Sequence, residues 1–298
     1  MGVLRGRRIG GSEKMKKKRI IGLSIYHILV ISLGLLMVYP VLWMISGGFK
    51  NNQEILTGAL NLIPPNWRFE NYANGWKGFG GITFGTFFKN SFMISGIATI
   101  ATVFSSACVA YSFSRLRYKG RKIFFTAMLC TMMLPGQVIL IPQYVIYNRL
   151  GLVGNFLGGV VPLLLPHFFG QAFFIYQMMQ FMEGIPTTLD EAAKIDGCSK
   201  YSTFFRIIFP LIKPSIITTI IIQFYWKWDD FQGPLVYLSK PASYTVSLAL
   251  KLFADSGSTT DYGAMFAMST LSLLPVFTIF LFFNRYLVEG ISSSGIKG

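Results

Sequence analysis

Residues 20–45 read IIGLSIYHILVISLGLLMVYPVLWMI, a run without one Asp, Glu, Lys or Arg. An α-helix rises about 1.5 Å per residue, so roughly 20 consecutive apolar residues span the hydrocarbon of a bilayer, and this run is long enough. Just ahead of it stand Arg5, Arg7, Arg8, Lys14, Lys16, Lys17, Lys18 and Arg19. A secretory signal would pair such a basic start with an apolar core of only about 7–15 residues and a small-residue cleavage site. This run is longer, lacks that site and ends in Tyr39, Pro40 and Trp43, so it reads as a retained first span.

Composition agrees with membrane residence. Hydrophobic residues make up 52% of the chain and charged residues 13%, against about 25% charged in soluble domains. The formal net charge of +15 would suggest nucleic acid in a soluble protein. Here the cations lie in short tracts beside apolar runs, the pattern of a membrane protein's cytoplasmic loops, and that reading excludes a nucleic-acid role. Cys108 and Cys130 fall inside apolar runs and Cys198 in a polar loop, so the cysteines form no disulfide or zinc spacing.

Working outward by length and polarity gives six candidate spans, at about 20–45, 91–112, 123–147, 156–181, 212–238 and 265–287. The expected fold is an all-α integral membrane protein with six transmembrane helices. Spans three and four carry Pro135, Pro142, Pro162 and Pro166, with Gln137, Gln143, Asn148, His167, Gln171, Gln177 and Gln180 among apolar residues. Such residues are tolerated where neighbouring helices or water satisfy the freed backbone groups, so these helices are expected inside a bundle or beside a cavity. The segment 47–90 is too polar to span and is expected as surface structure at the membrane edge. No internal repeat of 20–50 residues is present.

Lysine and arginine fix the orientation. Nineteen of the 27 fall on the side of the tail, the Arg115–Lys122 turn, the 183–214 loop and the C-terminus, and eight on the other. That asymmetry places both termini and the long loop in the cytoplasm. The resulting division is a basic tail (1–19), a first span with its extracytoplasmic segment (20–83), a transmembrane domain (84–287) containing the loop 183–214, and a C-terminal tail (288–298).

The loop reads EGIPTTLDEAAKIDGCSKYSTFFRIIFPLIKP, the chemistry of two short helices joined by a bend. Pro186 suits a first turn, and Asp190 and Glu191 lie where negative charge favours the helix dipole. Asp190 and Lys194 are four apart in the favourable order. Leu189, Ala192, Ala193 and Asp196 share a face, two alanines there letting another backbone approach. Gly197 is the expected left-handed stop. A second helix from about Ser199 to Phe209 offers Phe204, Phe205, Ile207 and Ile208 to the bundle, and Pro210 and Pro214 mark entry to the fifth span.

Glu191-Ala192-Ala193, three residues, Gly197, nine residues, Ile207, one residue and Phe209-Pro210 together resemble the EAA signature of permease subunits in binding-protein-dependent ATP-binding-cassette (ABC) importers. Asp196 fits the commoner form, and Phe209 replaces a leucine usual in the family. The similarity runs from about residue 50 to 298 and is to the carbohydrate, maltose-type branch. Its marks are Asn71-Tyr72, Asn90-Ser91, the turn RLRYKGRK at Arg115–Lys122, Leu134-Pro135-Gly136, Ile141-Pro142 and the ending Asn284-Arg285-Tyr286-Leu287 through Lys297-Gly298.

The resemblance implies the type I importer fold and a mechanism. Such a permease pairs with a second permease. Each EAA loop docks in one of two cytoplasmic ATPase subunits, which bind ATP and Mg, and an extracytoplasmic binding protein delivers a sugar or oligosaccharide. The coupling residues carried over are Glu191, Ala192, Ala193, Asp196, Gly197, Ile207 and Pro210. The chain itself would hold no cofactor or metal and catalyse nothing.

Trp226-Lys227-Trp228-Asp229-Asp230-Phe231 supports two readings. Charges at membrane depth usually face a cavity, and tryptophan offers stacking area to sugar rings. Alternatively the fifth span ends near Trp226 and the cluster is an interfacial belt. Gln171 and Gln177 likewise suit either a sugar or another helix. These six, Gln171, Gln177, Trp226, Trp228, Asp229 and Asp230, are the candidate substrate pathway. An intramembrane enzyme would need an HExxH, GxSxG or Walker A element, none of which occurs. A secondary transporter would ordinarily show two related halves. A permease for a non-carbohydrate solute would carry a similar loop and is the nearest alternative.

Overall fold

The computed structural model describes residues 3–58, 61–154, 159–255 and 261–295. Helix α1 (Val3–Gly47) contains the first apolar run and also extends back through most of the basic tail. Two short helices follow, α2 (Asn52–Thr57) and α3 (Glu70–Lys77), then the long α4 (Phe84–Arg115). Helices α5 (Arg121–Met132) and α6 (Gly136–Arg149) precede a composite span, in which α7 (Val160–Leu164), a 3-10 turn at Leu165–Phe169 and α8 (Ala172–Glu183) follow one another. The loop folds as α9 (Thr188–Ile195), α10 (Lys200–Thr203), a π turn at Phe204–Ile208 and α11 (Phe209–Leu211). Then come α12 (Lys213–Trp228), α13 (Gln232–Tyr237), α14 (Val246–Asp255) and α15 (Tyr262–Gly295).

Four of these helical runs are long and apolar enough to cross a membrane, or six when each sharply bent pair counts as one span. The third span, expected as one helix over 123–147, is such a pair: α5 and α6 meet at 104°. The break falls at Met133–Pro135, where Pro135 has no N–H to continue α5 and forces Leu134 out of helical geometry. Pro142, by contrast, stays inside α6. The fifth span, expected over 212–238, ends at Trp228, and the chain turns through Asp229–Phe231 into α13. The fourth span is described from residue 159, so the first residues expected in it lie outside the described ones, as do residues 1, 2 and 296–298 of the two tails.

Helix α4 is the axis of the bundle. Its interface is built of small residues, among them Ser91, Ser95, Ala98, Thr99, Thr102, Ala107 and Ala110, all buried. Lipid is as apolar as leucine, so close backbone approach and packing hold membrane helices together, and small side chains permit it. Helices α8 and α12 pack along α4, and Ile175, Met178, Met182, Phe204, Ile208 and Ile212 join its loop end into one core. Helix α1 stands apart: none of residues 21–45 is buried, and it meets α15 toward its C-terminal end, where the Trp43 ring lies edge-on to Phe266 at 5.1 Å and Gly47 abuts the same ring.

The 47–90 segment closes the end opposite the loop. Asn71 Nδ2 donates to the carbonyls of Gly48 (3.0 Å) and Lys50 (2.8 Å), pinning the turn after α1. Lys50 is itself buried, its Nζ donating to the Asn61 carbonyl and lying 5.9 Å from the Trp43 ring. Asn90 Nδ2 performs the same task with the carbonyls of Ala242 and Tyr244, and Ser91 Oγ accepts from the Val246 N–H at the start of α14. Both residue pairs singled out in the sequence, Asn71-Tyr72 and Asn90-Ser91, thus begin with an asparagine that satisfies backbone a regular helix cannot reach.

Candidate functional site

Two places combine polar chemistry with defined geometry: the loop between α8 and α12, and a small cavity within the bundle.

At the loop, α9 ends as a Schellman motif. The Cys198 N–H donates to the Ala193 carbonyl (2.8 Å) and the Gly197 N–H to that of Lys194 (3.2 Å), with Gly197 at φ 79°. Only glycine adopts that φ without strain, and no atom lies within 4 Å of where its Cβ would stand. The requirement is therefore conformational and not steric. Ser199 caps α10, its Oγ accepting from the Ser202 N–H at 3.2 Å.

The expected Asp190–Lys194 pair is not formed. Asp190 instead pairs with Arg115, the last residue of α4, at 3.2 Å. The same guanidinium donates from Nη2 to the carbonyls of Met182 (2.7 Å) and Ile185 (2.6 Å). Three contacts thus tie the end of α8 and the start of α9 to α4. A nearly buried arginine gains more from a carboxylate and two carbonyls than an exposed lysine gains one turn away. Pro186 lies ahead of the first helical residue, Thr188, and its carbonyl accepts from the Leu189 N–H, so it leads into the helix from outside it.

The shared face expected for Leu189, Ala192, Ala193 and Asp196 divides. Ala193 is buried at 3% exposure, whereas Leu189, Ala192 and Asp196 are exposed with Glu191. Ile195 stands out at 86% exposure and Tyr201 at 79%. The second half of the loop faces inward: Phe204 and Ile208 are buried, Ile207 packs partly against the same core, and Tyr111 stacks near Phe204 at 4.9 Å while its Oη donates to the Lys200 carbonyl. Phe205 departs from the expectation, being 47% exposed. In the π turn the Phe209 N–H donates to the Phe204 carbonyl, and Pro210 follows with no N–H to give.

The second place is a cavity of about 200 Å³ between α6, α7, α12 and α13, whose polar lining is Gln143, His167, Lys227, Asp230 and Gln232. Lys227 Nζ lies 2.8 Å from Asp230 Oδ2, and the other Asp230 oxygen accepts from the Gly233 N–H. His167 is buried on the 3-10 turn, its Nδ1 2.9 Å from Thr102 Oγ1, 2.8 Å from Gln171 Nε2 and 3.3 Å from Gln223 Nε2. Gln223 Oε1, Ser95 Oγ, Thr99 Oγ1 and Tyr237 Oη are buried without a hydrogen-bond partner among the described residues.

Of the six candidate pathway residues, the structure brings Asp230 to the cavity and Gln171 to its wall through His167. Gln177 bridges helices, its Nε2 3.4 Å from Ser215 Oγ and its Oε1 3.4 Å from Thr219 Oγ1. Trp228 is buried among Phe88, Phe92 and Phe224, its Nε1 donating to the Ser272 carbonyl at 3.0 Å. Trp226 lies against Phe173 and Phe174 and is 47% exposed, and Asp229 is exposed and outside the cavity lining. Thr102, Gln223 and Ile195 were not singled out in the sequence, and Arg115 only as the start of a basic turn. Ile195 had a local signal, an isoleucine among polar residues ahead of a glycine stop. The others depend on partners far along the chain.

The fold and loop define a class. The chain belongs to the family of binding-protein-dependent transport system inner membrane components, whose model matches residues 103–293 and so takes in the loop and the cavity. Among its relatives, a probable ABC transporter permease protein of Bacillus subtilis (strain 168), YurM, is 32% identical over 96% of this chain and 92% of its own. The arabinooligosaccharides transport system permease protein AraQ of the same organism is also 32% identical, over 92% of this chain and 97% of its own. In fold, the chain matches a subunit of a bacterial ABC transporter involved in import of the acidic polysaccharide alginate, with a TM-score of 0.78 at 22% identity over 91% of this chain and 97% of that one. It is therefore an ABC transporter permease of the cytoplasmic membrane.

Proposed function

We propose that this permease forms, with a second permease, the pathway for a sugar or oligosaccharide delivered by an extracytoplasmic binding protein, and that its loop transmits the movement of separate ATPase subunits. ATP and Mg belong to those two subunits, and this chain provides passage and linkage without catalysis. The carbohydrate reading draws support from the substrate named for AraQ. In this arrangement both termini and the 183–214 loop face the cytoplasm, as the excess of cations on that side favours.

The observation that carries the coupling role is the attachment of α9. Its inner side is fixed to α4 and α8 by Arg115 and continues through Phe204 and Ile208 into the core shared with α12, while Glu191, Ala192, Ile195 and Asp196 remain exposed. A force applied to the outer face of α9 therefore reaches α4, α8 and α12 together. Since α12 leads directly to Lys227 and Asp230, such a movement reshapes the cavity. Asp230 and Gln171 are the foremost candidates to meet the sugar, whereas Gln177, Trp226, Trp228 and Asp229 would act through helix packing or at the cavity's margin.

The test is to purify the complex with Glu191→Ala or Gly197→Val, then measure co-purified ATPase and hydrolysis stimulated by the sugar-loaded binding protein. Glu191→Ala is expected to weaken ATPase attachment. Gly197→Val places a side chain at φ 79°, costing about 1–2 kcal/mol and turning α9 relative to α10, and is expected to impair stimulated hydrolysis more severely. Full attachment and full stimulation in both variants would remove the coupling role.

A further inference from the structure

A larger pocket, about 700 Å³, lies where α4 passes into α5. Its floor is apolar: Phe113 and Met179 are buried, and Phe125 stacks edge-on against Phe113 at 5.6 Å. Its rim carries Arg117, Arg121 and Lys122 together with the single carboxylate of Glu183. None of the three cations forms an ion pair among the described residues, and Glu183 accepts only from Gln180 Nε2, at 3.2 Å.

The charge is therefore uncompensated. The turn that gathers it depends on Gly120 at φ 84°, which reverses the chain between Arg117 and Arg121. Ile123 in the pocket wall and Phe124 beside it are 74% and 62% exposed, and among the described residues α5 has no buried position. The cations thus meet an apolar face at the boundary where a spanning segment begins.

We propose that this pocket binds the phosphate headgroup of an anionic lipid from the leaflet bordering the coupling loop. Clustered Lys and Arg between membrane helices attract anionic headgroups, and an apolar floor continuous with an exposed helix face receives the first part of an acyl chain. A soluble phosphate would satisfy the cations but leave the exposed Ile123 and Phe124 and the half-buried Phe125 uncovered. Because Arg117 and Arg121 follow directly after Arg115, whose guanidinium holds the loop, occupancy would also steady the α4 end of that attachment. The lipid assignment stands whatever solute is carried.

The complex, permeases and ATPase together, would be placed in nanodiscs of phosphatidylcholine with titrated phosphatidylglycerol, and bound lipid measured by mass spectrometry after transfer to detergent. Phosphatidylglycerol is expected to be retained selectively. The Arg117→Gln/Arg121→Gln/Lys122→Gln variant should bind it about a hundredfold more weakly, at about fivefold for each cation lost near a membrane surface. Glu183→Gln should bind it more tightly, a gain that mere destabilisation would not produce. Lys119→Gln, in the same turn but outside the pocket, serves as a control and should lose no more than about fivefold. Equal retention by the triple variant would overturn the proposal, and so would displacement of the lipid by inorganic phosphate alone or cross-linking of the pocket to a protein subunit. Should the triple variant fail to assemble, Glu183→Gln decides: unchanged or weaker retention overturns the lipid site.

Discussion

The coupling loop and the bundle cavity use polar groups in opposite ways. In the loop, Arg115, Asp190 and the capping carbonyls are turned inward to anchor the chain, and apolar Ile195 and Tyr201 are left in solvent. In the cavity, Lys227 pairs with Asp230, and His167 with Thr102 and Gln171, so its charged and ring groups already have protein partners, although Tyr237 Oη has none among the described residues. Exposed apolar area at a defined helix gains free energy only when something covers it. Polar atoms already paired offer a solute little net gain. One region is thus suited to hold a partner and the other to let a solute pass without trapping it.

The largest test of this contrast is Arg115→Ala. It would strand the Asp190 carboxylate, whose oxygens are buried, and take from the Ile185 carbonyl its arginine donor, and breaking a buried pair costs about 3–5 kcal/mol. We expect hydrolysis to lose its response to the loaded binding protein, with Arg115→Lys intermediate. An unaltered response would break the claim that the loop's polar groups anchor it.

Asp230→Asn and Asp229→Asn form the next test. Losing the Asp230 charge weakens a charge-assisted contact to Lys227 worth about 1.5–3 kcal/mol and is expected to change uptake about tenfold or more. Asp229 is exposed, and its variant should stay within about 0.5 kcal/mol of wild-type stability with near-normal uptake. Reversal of that order, read by labelled-sugar uptake in proteoliposomes, would break the cavity assignment. Ile195→Ser should have the smallest effect on the permease itself, within about 0.5 kcal/mol by thermal unfolding. It should nevertheless reduce co-purified ATPase, which sharpens the contrast.

Much of the fold was legible because bilayer thickness imposes a length that apolar runs display directly. The break of the third span was less so: Pro135 and Pro142 carry the same backbone defect, yet only the first sits at the bend, because Gly136 and the residues after it start a new helix there. In the loop, Gly197 was readable from local geometry alone. Asp190 misled for the opposite reason. The i,i+4 rule describes isolated helices, and Arg115 lies 75 residues away, where no local pattern reaches it. The Thr102–His167–Gln223 cluster was hidden in the same way, since three helices contribute one residue each and no single stretch shows the grouping.

The π turn at Phe204–Ile208 has a consequence for length. A π turn holds one residue more than the α-helix it interrupts, so residues on either side keep their faces although the chain between them is longer than helical register requires. Removing one residue there restores an α-helix without rotating Ile212 away from its core, whereas the same deletion within α12 turns every following side chain, Gln223 and Lys227 included, by about 100°. The joint between loop and span is therefore the one stretch of this path where the count of residues is not rigidly set by what lies beyond it.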